Sequence, residues 1–191
     1  MRLSWTSLKK RKKAMLFLSI LFILGLVSGF IYFNKINDTI VINLQEKLLD
    51  IKFNSNIWFH IIFLALIFFF SALLIGSLFG LFVYFYESLS IGFIIGVYFS
   101  YGGLAGVMYS IIYVLIYKAF YIFFLSVILI KTFDIGRNLI GYFVFKKDDE
   151  LKNKVIINFI LIIKLALFII IYDLFLTFFG NNILSIFSFL I

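Results

Sequence analysis

Apolar residues fill the chain in long blocks divided by short polar ones. The first block, Ala14 to Phe33, is 20 residues, enough at about 1.5 Å per residue to cross a hydrocarbon layer of about 30 Å. Ile57 to Phe85 is 29 residues and reads as a second crossing that must tilt or protrude. Glu87, Ser88 and Ser90 suggest a tight turn, after which Ile91 to Tyr117 is a third crossing, interrupted at Gly102 and Gly103. Lys118 separates it from a fourth. Only 12 residues lie between Lys118 and Lys131, so this span is expected to continue past Lys131. Val155 to Phe179 is the fifth, and the closing "GNNILSIFSFLI" is too short to cross back.

The polar blocks orient this pattern. Residues 1–13 carry Arg2, Lys9, Lys10, Arg11, Lys12 and Lys13 and read as a basic cytoplasmic tail before a retained anchor, because "GFIYFNKIN" offers no small-x-small cleavage site. Residues 34–56 set Ile40, Leu44, Leu48 and Ile51 at helical steps among Asp38, Gln45, Glu46 and Asp50. They form an outer amphipathic segment, lying on the membrane or packed on the bundle. Residues 146–154, "KKDDELKNK", read as a charged cytoplasmic loop. Five spans with the N-terminus inside put twelve Lys and Arg on the cytoplasmic side against Lys35, Lys47, Lys52 and Lys118 outside, as the positive-inside rule requires.

Composition turns the pattern into a class. With 64% hydrophobic and 14% charged residues, the chain cannot surround an apolar core with a polar surface, so the expected fold is an all-α integral membrane bundle in one domain, 1–191. The formal charge of +8 flanks apolar spans, which assigns it to lipid head groups rather than nucleic acid. There is no Cys and one His, His60; no disulfide, thiolate, zinc cluster or cofactor is expected. Trp58 and His60 at one end of the second span, and Tyr84 and Tyr86 at the other, suit interfacial belts, making His60 an interfacial residue rather than a ligand.

Eight of the 12 glycines form small-xxx-small pairs: Gly25 with Gly29, Gly76 with Gly80, Gly92 with Gly96, and Gly102 with Gly106. Such pairs let helix backbones approach closely in lipid. Gly102 and Gly103 together weaken the helix and predict a bend or break there. The chain shows no nucleophile elbow, phosphate loop or paired carboxylates, and Glu87, Asp134 and Asp173 look isolated. Lys131, Asp134 and Arg137 fall at the cytoplasmic end of the fourth span, where Lys131 and Asp134 can pair. Lys164 and Asp173, nine residues apart, occupy opposite sides of one helix; each is a candidate functional charge, although Lys164 can also snorkel.

The order of "LFILGLVSGFIYFNKIND", "LLIGSLFGLFVYFYESLSIGFIIGVYFSYGGLAG" and "FDIGRNLI" resembles the stage II sporulation protein M family of bacterial membrane proteins. The sequence departs from it at Ser88, where the family has Gly, and at "VLIYKAF", where the family has a Pro-containing corner. The resemblance implies a non-enzymatic scaffold of the cell membrane that anchors peptidoglycan hydrolases at the sporulation septum during engulfment. Gly92, Gly96, Gly103, Gly106 and Arg137 would be its packing or assembly positions. A transporter or channel subunit, with a glycine-broken helix and intramembrane charges, is the alternative; it requires those charges to converge on a water-accessible cavity.

Overall fold

The computed structural model describes residues 5–36, 57–72, 76–145 and 149–187. They form five helices: α1 (Trp5–Phe33), α2 (Ile57–Ala72), α3 (Gly76–Tyr117), α4 (Ala119–Phe145) and α5 (Asp149–Ser185). Helices are the form such a sequence must take in lipid, where every backbone amide needs an internal partner. Among the described residues, four stretches are long and apolar enough to cross a membrane: Lys12–Phe33, Gly76–Tyr117, Ala119–Ile140 and Lys152–Ser185. At 16 residues, α2 spans about 24 Å and is the short member.

Three boundaries differ from the sequence reading. The 29-residue block divides, with α2 ending at Ala72 and α3 starting at Gly76, where the missing Gly76 side chain lets the backbone sit against Ser71. Glu87, Ser88 and Ser90 mark no turn; they lie within α3, and the serine hydroxyls bond back to the carbonyls of Tyr84 and Glu87. Helix also extends into residues expected in a tail and a loop, since α1 begins at Trp5 and α5 at Asp149. Most of the amphipathic segment, residues 37–56, lies outside the described residues.

α3 has 42 residues, about 63 Å if straight and too long for one crossing. It is not straight. Gly103 takes φ 57°, ψ −131°, a conformation open to glycine and strained for other residues, and the chain folds back there. Gly106 packs against the Tyr98 carbonyl, and the ring of Tyr109 meets that of Tyr98 at 5.0 Å. Helical hydrogen bonds continue through Lys118, from its N–H to Val114 O and from Ile122 N–H to its own carbonyl, so the returning arm, 104–117, runs on into α4.

α1 lies parallel to the first arm of α3. Phe22 meets Tyr84, Gly25 lies over Ser88, Gly29 over Leu89, and Gly92 and Gly96 over Leu26 and Phe33. The glycine pairs of the two helices thus face one another, as small-xxx-small packing anticipates. α2 and α4 run the opposite way: Phe70 and Phe63 both meet Phe79, and Leu129 fills the notch at Gly80. α5 is antiparallel to α4, with Phe120 against Tyr172 and Phe124 against Phe168. We call the face where α1 begins proximal and the other distal. Lys13, Gly76 and Lys131 are then proximal, and Phe33 and Gly103 distal. The centre is filled by Ile67, Val83, Leu125, Ile128, Leu129 and Ile169, while Leu16, Leu24, Phe168 and Phe178 are among many large apolar residues facing outward. This outward display fits a lipid solvent.

Candidate functional site

α4 turns Tyr121, Leu125, Ile128, Thr132 and Ile135 inward, a stripe at three- and four-residue steps. Lys118 lies one turn before it. α5 buries Ile162, Ile169, Asp173, Leu176 and Leu184, so Asp173 occupies a core position on an otherwise apolar face. On α3, Glu87 lies in the buried row of Tyr84, Ser88 and Ile91. The first turn of α2 presents His60, which is 7% exposed. Four elements therefore point ionisable groups at one place.

His60 Nδ1 is 2.7 Å from Asp173 Oδ2, and its Nε2 is 3.9 Å from Glu87 Oε1. Lys118 Nζ donates to Glu87 Oε2 at 2.7 Å. The Tyr121 ring stacks on the imidazole at 4.0 Å with 13° between planes. An ionised Asp173 can only accept, so Nδ1 donates. Lys118 and an imidazolium balance the two carboxylates, whereas a neutral imidazole leaves the cluster one negative charge in excess. Side-chain exposure is 9% for His60, 4% for Glu87 and 6% for Asp173, and 17% for Lys118.

The depth of the cluster follows from α1. The crossing stretch of that helix is Lys12–Phe33, its middle is near Phe22, and Gly25 lies over Ser88. Glu87 is therefore about one turn from mid-depth.

The sequence reading named Asp173 among the candidate charges but misplaced its companions. His60 is not interfacial, Glu87 and Asp173 are not isolated, and Lys118 is not an outer-loop residue: all four meet inside the bundle. Intramembrane ionisable residues are functional candidates by default, and that rule applied to His60, Glu87 and Lys118 would have collected the cluster. Lys164 is exposed on the outer side of α5, opposite Asp173 as the spacing required. Near the proximal face, Lys131 donates to Asn158 at 3.2 Å and Asp134 meets Arg137 at 3.5 Å. Among the glycines, Gly102 and Gly103 have open space beside them, so that doublet serves the reversal rather than a helix crossing.

The chemistry available is proton and charge exchange. His60 Nε2 faces Glu87, and among the described residues no three His, Asp or Glu side chains are arranged to hold a metal ion. Compared with models of protein families, with curated proteins and with solved structures, the chain has no match.

Proposed function

We propose that the chain is a non-enzymatic membrane scaffold with five crossings and a cytoplasmic N-terminus, the role its resemblance to sporulation protein M implies. On that reading it holds peptidoglycan hydrolases at a bacterial septum. The observation that supports it is that the central polar groups engage one another: Glu87 with Lys118, and Asp173 with His60, each at 2.7 Å. Side chains engaged with one another brace a bundle rather than await a substrate. The revised boundaries keep the orientation argument. Among the described residues, Lys9, Lys10, Arg11, Lys12, Lys13, Lys131, Arg137, Lys152 and Lys154 fall on the proximal side, against Lys35 distally.

Deletion in the host, with fluorescent hydrolases followed through septation, tests this reading. Dispersed hydrolases and stalled membrane migration are expected, and correctly placed hydrolases refute it. A second reading, ion- or solute-coupled transport, is favoured by the depth of the same cluster beside a helix broken at Gly103. Flux through the purified protein in liposomes would establish it over the scaffold.

A further inference from the structure

Tyrosines recur every fourth residue along the returning arm and into α4: Tyr109, Tyr113, Tyr117 and Tyr121. A four-residue step keeps them on one side of the helix, and the column rises about 18 Å. Tyr98, on the first arm, closes against it, 5.0 Å from the ring of Tyr109 and 6.2 Å from that of Tyr113. Tyr113 and Tyr117 are 4.7 Å apart. The column begins beside Gly106, near the distal reversal, and ends where Tyr121 covers His60.

These rings need not have been tyrosines. The chain has 28 Phe and 11 Tyr, so phenylalanine is its ordinary filler. A buried hydroxyl left without a partner carries a desolvation cost that phenylalanine avoids. Yet Tyr98 and Tyr121, 3% and 1% exposed, hold hydroxyls with no hydrogen-bond partner among the described residues. Buried unsatisfied hydroxyls call for an explanation, and bridging water is the usual one.

We propose that the tyrosine column is a hydroxyl-and-water path carrying protons between the distal face and a proton-binding site at His60 and Asp173. In each step a hydroxyl oxygen or water accepts one proton and releases its own to the next group. The last transfer places the proton on an imidazole nitrogen, and return runs the steps backwards, so no other reactant is consumed. The groups facing His60 are Asp173 from α5, Glu87 from α3 and Tyr121 from α4, with Lys118 beyond Glu87. Each proton that arrives changes the charge of this cluster by one unit. This inference stands apart from the scaffold reading.

His60 is the sole histidine, so full-length protein labelled with 15N-histidine in lipid nanodiscs reports one imidazole. Its resonances are expected to move with bulk pH. Tyr117→Phe and Tyr121→Phe, which remove only an oxygen, are expected to slow ring-proton exchange at least tenfold with thermal unfolding unchanged. Tyr101→Phe, outside the column and 44% exposed, should leave exchange as it is. Imidazole resonances that ignore bulk pH in the unaltered protein, or exchange equally fast in the column variants and in Tyr101→Phe, overturn the proposal. Should one variant fail to fold, Tyr98→Phe and Tyr113→Phe apply the same test.

Discussion

Removing one member of the central cluster should cost far more than removing two that balance. Asp173→Asn leaves His60 beside Glu87 and Lys118 and forces the imidazole either to stay charged without its 2.7 Å partner or to give up its proton. His60→Gln leaves two carboxylates with one lysine. Either change leaves a group that is more than nine-tenths buried without its 2.7 Å partner, and where that group stays charged the loss is about 3–5 kcal/mol. The double variant retains Glu87 with Lys118, a neutral pair. Its cost should fall well below the sum of the single losses, with a coupling energy of about 2 kcal/mol or more. An ordinary interhelical hydrogen bond in a membrane protein couples by only about 0.6 kcal/mol, so the magnitude separates the two descriptions. Reversible unfolding in mixed micelles, followed by circular dichroism, supplies the four free energies. Coupling below about 0.6 kcal/mol would refute the claim that His60 and Asp173 form a charge-balanced pair.

The glycines yield a graded test. A Cβ on Gly92 would strike the backbone of Leu26, and one on Gly96 would lie 2.8 Å from Cγ and 3.0 Å from Cβ of the buried Phe33; Gly92→Ala and Gly96→Ala should each cost about 1–3 kcal/mol by thermal unfolding. At the reversal, Gly103→Ala must hold φ 57° and should lose about 1–3 kcal/mol, while Gly102→Ala, with open space beside it, should be neutral or gain up to about 1 kcal/mol. Since the chain has no cysteine, single cysteines can report topology by labelling from each side of sealed vesicles. Lys13→Cys and Ser100→Cys should label from opposite sides and Ser88→Cys, fully buried, from neither; a labelled Ser88→Cys would restore the turn.

What could be read without coordinates was whatever lipid enforces locally. Apolar blocks must become helices, which gave the bundle, and Gly25, Gly29, Gly92 and Gly96 announced a close crossing by their spacing. Gly102 and Gly103 announced the break. The second boundary was hidden because the stretch around 72–76, "ALLIG", is apolar on both sides, so nothing in its composition marks a reversal. Conversely, Glu87, Ser88 and Ser90 imitated a turn because three polar residues together usually lie in solvent. Inside the bundle Glu87 is answered by Lys118, 31 residues further on, and the two serine hydroxyls by the carbonyls of Tyr84 and Glu87. His60 and Asp173 are 113 residues apart, and a pairing of that separation is set by helix order and register, which hydropathy does not encode.

The reversal and the charge cluster are one device. Glu87 lies 16 residues before Gly103 and Lys118 lies 15 after it, so the two arms measure nearly equal distances from the break and bring opposite charges to the same depth. A break one residue earlier or later would move Lys118 along its helix by about 1.5 Å and turn it by about 100°, away from Glu87. The positive φ of Gly103 therefore fixes more than a bend: it sets where Lys118 neutralises Glu87. It also brings Tyr121, one turn beyond Lys118, over the imidazole. Burying four ionisable groups gives no stability that apolar residues of similar volume could not match, so what these pairs add to a braced bundle is register between its helices rather than strength.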